Sequence, residues 1–301
     1  MNSAPVPHVF DPIRHARRRS RAAAQYHEYD FLKRRLSRDL AERLADSSRQ
    51  FPVALDHGCH NGVLGEALLE SGQVSSVIAT DPAEPMARRA RARGLAACVM
   101  PLETLAFAPG SLDLAASALS LHWVNDLPGL LVQLREALKP DGLFLAAIAG
   151  AGTLPELRES LALAETEIRG GAGPRISPLP GLQDLAALMQ RAGFAMPVVD
   201  IETITVRYDN AMSLLQDLRG MGETAAFGQP ADQGLSRRIL MRAAETYQAS
   251  HSDPDGRVRA TFRIVWLSGW APAQGQPKPL KPGSAKVSLT EVFARKGDTT
   301  D

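Results

Sequence analysis

Residues 53 to 62, Val-Ala-Leu-Asp-His-Gly-Cys-His-Asn-Gly, run from an apolar stretch into a glycine-punctuated turn, and Asp81 closes a second apolar stretch about one βα unit later. That order commits the chain to an α/β fold with a ligand crevice at the strand ends. The turn lets backbone N–H groups approach a ligand at a helix start, while a carboxylate ending the neighbouring strand can accept both hydroxyls of a ribose. Asp56 selects among nucleotide ligands. Its charge would repel a pyrophosphate seated on the turn but attracts the methionine ammonium of S-adenosylmethionine.

The alternation continues beyond this pair. Short apolar runs at Val53 to Asp56, Ser76 to Thr80, Ala96 to Met100, Leu112 to Ala118 and Leu143 to Ile148 alternate with helical patterns starting near Gly62, Ala83 and Leu127. Such a run reads as a parallel sheet with crossover helices, and Lys139-Pro140-Asp141-Gly142 reads as a turn ahead of the fifth strand. After Gly150 come a helix from Leu154 to Ile168, a Gly/Pro-rich loop around residues 170 to 178, and a helix from Leu182 to Ala192. Strands at Val198 to Tyr208 and Val258 to Trp266 suggest a closing hairpin at the sheet edge, with a helical cap in the connection between them. The expected organisation is a basic helical segment over residues 1–50, a domain over 51–270 with cap insertions at 151–180 and 209–257, and an extended proline-rich tail over 271–301.

Composition narrows the setting. The chain has 301 residues, 45% of them hydrophobic, and a formal net charge of +1, as an ordinary globular protein would. Cys59 and Cys98 are too few for a disulfide framework and suit a reducing compartment, so a cytoplasmic location is the default expectation. There is no apolar stretch of about eighteen residues, which limits membrane contact to a peripheral one, and no nucleic-acid partner is expected. Charge is nonetheless uneven. Residues 1–50 hold eleven Lys or Arg against six Asp or Glu, densest at Arg14, Arg17, Arg18, Arg19 and Arg21. This run reads as the solvated side of amphipathic helices whose apolar face continues through Phe31, Leu32, Leu36, Leu40 and Leu44, with phosphate, an acidic partner or a membrane surface as the other readings.

At the end of the fourth strand stands Ser117-Ala118-Leu119-Ser120-Leu121-His122-Trp123-Val124-Asn125-Asp126-Leu127-Pro128. Together with Phe10-Asp11 and the basic run after it, Leu157-Arg158, Leu163 to Glu167, Ile176-Ser177-Pro178, Asp217 to Glu223 and Gly283-Ser284-Ala285, it resembles the complex I assembly-factor methyltransferase family. A weaker likeness connects the core to the malonyl-carrier-protein methyltransferase of biotin synthesis. The resemblance implies a class I methyltransferase fold, Rossmann-like, with a seven-stranded mostly parallel sheet, helices on both faces and a helical cap. It further implies S-adenosyl-L-methionine as cofactor, a quinone-side subunit of complex I as protein substrate, and, in mitochondrial relatives, hydroxylation of an arginine on that subunit.

Two departures from the methyltransferase pattern bear on that cofactor. The turn usually reads acidic-x-Gly-x-Gly-x-Gly, whereas here the positions are Asp56, Gly58, His60 and Gly62. The acidic position after the third strand that usually meets adenine is Pro101, which leaves Glu103 or backbone groups for that task. The expected cofactor set is therefore Asp56, Gly58, His60, Gly62, Asp81, Leu102, Glu103 and Ser117, with His122 and Trp123 bordering the reactive end and Glu165 meeting a basic protein substrate. His57, Cys59, His60, His122 and Asp126 are the nearest candidates for a metal, and they show no clear two-histidine, one-carboxylate spacing, so none is expected. Three readings stay open: an enzyme modifying a protein side chain, a carrier-protein or small-molecule methyltransferase, and a non-catalytic assembly factor with a degenerate cofactor site.

Overall fold

The computed structural model describes residues 8–228 and 234–277. The likeness at Gly283-Ser284-Ala285 and the tail from residue 278 onward lie outside the described residues.

A single seven-stranded sheet carries the molecule. Its strands are β1 (Phe51–His57), β2 (Val74–Asp81), β3 (Ala96–Val99), β4 (Leu112–Ala118), β5 (Leu138–Ala149), β6 (Ala195–Tyr208) and β7 (Val258–Trp270). They lie in the order β3-β2-β1-β4-β5-β7-β6. The first five pair in parallel, and β7 runs antiparallel to both β5 and β6, so this is the class I methyltransferase fold. Strands β1, β4 and β5 are buried on both faces, which is why they read as unbroken apolar runs. β6, at the edge, alternates buried or half-buried with exposed positions over much of its length, as a one-sided strand must.

The expected turn at Lys139 to Gly142 is instead part of β5. The strand begins at Leu138, opposite Leu112, and resumes pairing at Leu143 opposite Leu114, so the four residues between form a bulge with Asp141 at φ 61°. β7 also extends to Trp270, because that residue still pairs with Leu143.

Three helices precede the sheet: α1 (Pro12–Ala22), the short α2 (Tyr26–Tyr29) and α3 (Phe31–Leu44). Asp11 caps α1 by accepting the Arg14 N–H at 2.9 Å, and Pro12 occupies the first turn, where its missing donor costs nothing. In α3, Leu32, Leu36, Leu40 and Leu44 repeat every four residues and are all buried, whereas Phe31 is exposed. The crossover helices are α4 (Val63–Glu70), α5 (Glu84–Ala92) and α6 (Leu127–Ala137). After β5 come α7 (Pro155–Arg169) and α8 (Leu182–Arg191), and between β6 and β7 come α9 (Ala211–Gly220) and α10 (Arg237–His251). α7 packs on α10, and both reach β7.

Candidate functional site

The crevice at the ends of β1 and β2 is where this topology places a ligand. Its turn does take the glycine-type backbone: Gly58 has φ 71°, Gly62 φ 84°, and His60, in the position usually held by glycine, is forced to φ 52°. A non-glycine residue there is strained by about 1 kcal/mol. The imidazole is fully buried and stacks on Tyr26, with ring centroids 5.2 Å apart. Thus His60 tolerates the left-handed turn but fills the space that a glycine leaves open.

The remaining crevice is filled by the chain's own charges. Asp81 accepts Arg19 Nη1 at 2.6 Å and the His60 N–H at 2.9 Å on Oδ2, and the Ala83 N–H at 2.9 Å on Oδ1. Both Arg19 and Asp81 are fully buried, and the same guanidinium donates to Ser120 Oγ at 2.9 Å. Lys33, from α3, donates to the Gly58 and Ala118 carbonyls at 3.2 and 2.7 Å. Arg19 Nε donates to His15 Nε2 at 3.2 Å, so the His15 proton sits on Nδ1. Burial sets the titration of this cluster. It pushes the Asp56 carboxyl up to about 6, lowers Lys33, lowers His57 to about 4 and raises the Cys59 thiol.

S-adenosylmethionine enters this arrangement only if some of the chain's own contacts give way. The ribose acceptor Asp81 is engaged by Arg19 and two backbone donors, which leaves room for one further donor on Oδ1. The turn's N–H groups are spent internally: Gly58 and Cys59 donate to the Thr80 carbonyl, His60 to Asp81, and Gly62 to the Cys59 carbonyl. Ser120 occupies the ground beside Gly58, where an added Cβ would meet its Oγ at 2.3 Å. Asp56 accepts the Gly65 N–H at 3.0 Å on Oδ2, and its Oδ1 has no hydrogen-bond partner among the described residues.

Beside the crevice opens a second space, a cavity of about 450 Å³ walled mainly by leucines, Ile176, Phe262 and Ile264, with Arg14 and Arg18 contributed by α1. His122, Trp123 and Glu223 also line it. Trp123 Nε1 donates to Glu223 Oε2 at 2.6 Å, and His122 Nε2 lies 3.2 Å from the same oxygen. Burial alone would raise the Glu223 carboxyl. Its contacts with His122 and His60 and the field of Arg19 outweigh that and hold it well below the usual carboxylate range. Trp123 is itself fixed between the His15 ring, stacked at 4.6 Å, and the edge of Phe10 at 5.2 Å. Local sequence explains the placement of Glu223. An added Cβ on Gly220 would lie 2.3 Å from the Tyr29 ring, so glycine lets the end of α9 close on α2, and Gly222 at φ 78° turns the chain to present the carboxylate.

The residues named from sequence scatter between these two spaces. Asp56, Gly58, His60, Gly62 and Asp81 gather in the crevice as expected of the turn, but Asp81 faces Arg19. Ser117 Oγ donates to the His57 carbonyl at 2.8 Å, and His57 Nε2 meets the Leu102 carbonyl at 2.9 Å. Glu103 accepts the Asn125 N–H and Nδ2 at 3.0 and 2.7 Å, so its carboxylate braces the loop after β4. His122 and Trp123 border the cavity. Glu165 does not: it is buried, binds Arg175 through Nε at 2.9 Å and Arg169 at 3.1 Å, and is not among the cavity-lining residues. Arg175 holds its carboxyl below the usual range. The basic run is likewise divided, since Arg17 and Arg21 are exposed while Arg19 is fully buried. Arg19, Lys33 and Glu223 were not anticipated as site residues. No spacing rule marks a buried cation on an otherwise basic helix; the Gly-Met-Gly-Glu run at residues 220–223, with two glycines close before an acid, was the one available signal. Among the described residues, no three His, Cys, Asp or Glu side chains stand in a metal-holding arrangement.

Comparison with known proteins sets these spaces in context. A family model described as a methyltransferase domain matches residues 55–146. The chain is 41% identical over 268 residues to a Danio rerio protein named arginine-hydroxylase NDUFAF5, mitochondrial, covering 88% of this chain and 83% of that one. It is 32% identical over 270 residues to a malonyl-[acyl-carrier protein] O-methyltransferase of Xylella fastidiosa (strain M23), covering 88% and 89% of the two chains. Among solved structures, the YcgJ protein of Bacillus subtilis superposes with a TM-score of 0.54 at 17% identity, covering 78% of this chain and 98% of that one, a likeness of fold. The cytoplasmic expectation is overturned by the first of these matches. The relative is named mitochondrial, and cysteine count cannot tell one reducing compartment from another.

Proposed function

Because the chain belongs to the NDUFAF5 family of complex I assembly factors, within the S-adenosylmethionine-dependent methyltransferase superfamily, we propose that it modifies an arginine side chain on a quinone-side subunit of complex I. The observation that carries this reading is the cavity, an apolar space whose wall includes the carboxylate of Glu223, supported by His122 and Trp123. A cation on a long apolar stem suits such a space, with the methylenes against leucine and the charge against the acid. His122 and Trp123 act here as positioning residues, because both donate to the carboxylate that would meet the substrate.

S-adenosylmethionine is the cofactor this reading adopts from the superfamily. It requires Arg19 to leave Asp81 before both ribose hydroxyls can be accepted, since that carboxylate has room for one further donor. One observation favours a second reading, methyl transfer to an acidic carrier-bound substrate: Arg14 and Arg18 also line the cavity. The test is to incubate the full chain with the purified quinone-side subunit, with and without S-adenosylmethionine, and to map mass changes on its arginines. An added oxygen or methyl on one arginine is expected. Unchanged arginines, with methyl transfer to a malonyl-carrier protein instead, would move the assignment to the second reading.

A further inference from the structure

The cavity wall contains one charged group whose bonding is incomplete. Oε2 of Glu223 is engaged by Trp123 and His122, but Oε1 is buried and has no hydrogen-bond partner among the described residues. The nearest crevice nitrogen, His60 Nε2, stands 3.6 Å from it and supplies no proton, because the neutral ring carries its hydrogen on Nδ1, donated to the Gly58 carbonyl at 3.0 Å. A buried carboxylate oxygen left without a donor is costly, and a donor supplied from elsewhere recovers that cost. Glu223 also occupies a particular place. His122 and Trp123 approach it along the cavity wall, while His60 belongs to the crevice and is absent from that wall. The carboxylate therefore stands where the two spaces meet, the point at which a substrate group entering by the cavity would face the fold's ligand crevice.

We propose that Glu223 is the acceptor that receives the substrate's guanidinium, and thereby selects arginine. The proposal rests on the arginine-modifying reading above and supplies its recognition residue. A guanidinium is chosen over an ammonium for two physical reasons. It is less strongly hydrated, so it loses less on entering a space walled by leucine, isoleucine and phenylalanine. Its planar fork holds several N–H donors in a fixed plane, so one can meet Oε1 with a defined direction that a rotating ammonium matches less well. The rings that hold Oε2 fix the carboxylate's orientation, which is the pre-organisation that such a bond needs. Arg14, Arg18 and Arg175 also line the cavity; Arg175 is matched by Glu165, whereas Arg14 and Arg18 are oriented by the neutral carbonyls of Phe227 and Thr224 and keep their charge, which Glu223 has to outweigh. A ligand bearing a carboxylate would be drawn to those arginines and repelled by Glu223, which makes it the competing class.

Calorimetry on the full chain distinguishes the two. The probes are acetyl-Leu-Arg-Leu-amide, the same peptide with citrulline or lysine in place of arginine, and monomethyl malonate. The arginine peptide is expected to bind roughly tenfold or more tightly than the citrulline peptide, which has the same shape without the charge, and more tightly than the lysine peptide. Glu223→Gln should erase the arginine-over-citrulline preference while unfolding cooperatively at close to the parent temperature. Should Glu223→Gln not fold, Glu223→Asp keeps the charge on a shorter stem, and it should retain the preference at reduced affinity. Equal binding of the arginine and citrulline peptides, a preference unchanged in Glu223→Gln, a stronger response to monomethyl malonate, or no arginine-peptide binding at millimolar concentration would each overturn the assignment. An arginine preference that depends on Glu223, with no mass change on the complex I subunit, would uphold it and sink the modification reading alone.

Discussion

The crevice and the cavity adjoin at Glu223, yet they handle burial in opposite ways. The crevice holds four formal charges, Asp56, Asp81, Arg19 and Lys33, all fully or almost fully enclosed and balanced two against two. Its turn amides and its ribose-type carboxylate are satisfied from within the chain. The cavity is mostly hydrocarbon, with one lining carboxylate that has an oxygen to spare. Desolvated charge is expensive, so charges enclosed this deeply are stable only with counter-charges and hydrogen bonds close by, as Arg19 gives Asp81. Apolar walls demand nothing comparable. The region with the recognisable motif is therefore the one the chain closes, and the region with no motif is the one left open.

The largest test breaks the crevice side of that contrast. Asp81→Ala strands the buried Arg19 guanidinium and should cost about 3–5 kcal/mol in urea unfolding. Pairing Asp81→Leu with Arg19→Met should recover most of that loss, because a well-packed apolar pair can replace a buried ion pair. A cost below about 1 kcal/mol for the single variant would mean that Arg19 is not held in the crevice in solution, and the contrast would fail.

What the sequence made legible follows from how local each signal is. The strands and the glycine turn were readable because both-face burial makes an unbroken apolar run and a left-handed turn calls for glycine. The bulge of β5 was missed because Lys139-Pro140-Asp141-Gly142 has the composition of a turn, and only its pairing with Leu112 reveals that the strand starts earlier. Arg19 was missed for a related reason: its burial is decided by Asp81 and Ser120, which lie 62 and 101 residues away. Glu165 misled because helical spacing gives a face but not the neighbour on that face, which here is Arg175 on the following loop. Glu223 depends on Gly220 meeting Tyr29, a contact that no local pattern encodes.

The pH dependence sharpens the same contrast by about 3 kcal/mol. Burial holds His57 neutral, with its pKa lowered from 6.5 to about 4, so between those values the unfolded chain binds the proton and the folded one does not. Stability on this account is full above pH 6.5 and is lost as pH falls towards 4. Asp56 acts in the opposite sense. With its pKa raised from 3.8 to about 6, the folded state binds the extra proton, and stability declines as pH rises across that window. Asp56 therefore offsets part of the acid loss that the buried histidines impose on the parent. His15 and His60, buried and held below 6.5 in the same way, keep their own share of that loss, so urea titrations of His57→Gln from pH 4 to 7 should show a shallower fall of stability towards pH 4 than the parent shows. A His57→Gln profile parallel to that of the parent would show that the imidazole is not excluded from protonation.

Adding volume gives the smallest effect and separates the two regions most directly. Gly58→Ala in the crevice sets a Cβ 2.3 Å from Ser120 Oγ on a backbone at φ 71°, and it should cost about 1–3 kcal/mol through crowding alone. Leu179→Trp adds far more volume on the cavity wall, but at a half-buried position facing open space, so its cost should stay within about 1 kcal/mol. The two also differ in consequence. The tryptophan occupies room the arginine peptide needs and should abolish its binding without touching Glu223, whereas the crevice variant should weaken the fold and leave peptide affinity close to the parent's. If Leu179→Trp destabilises as much as Gly58→Ala, the cavity is as tightly packed as the crevice, and the open region disappears.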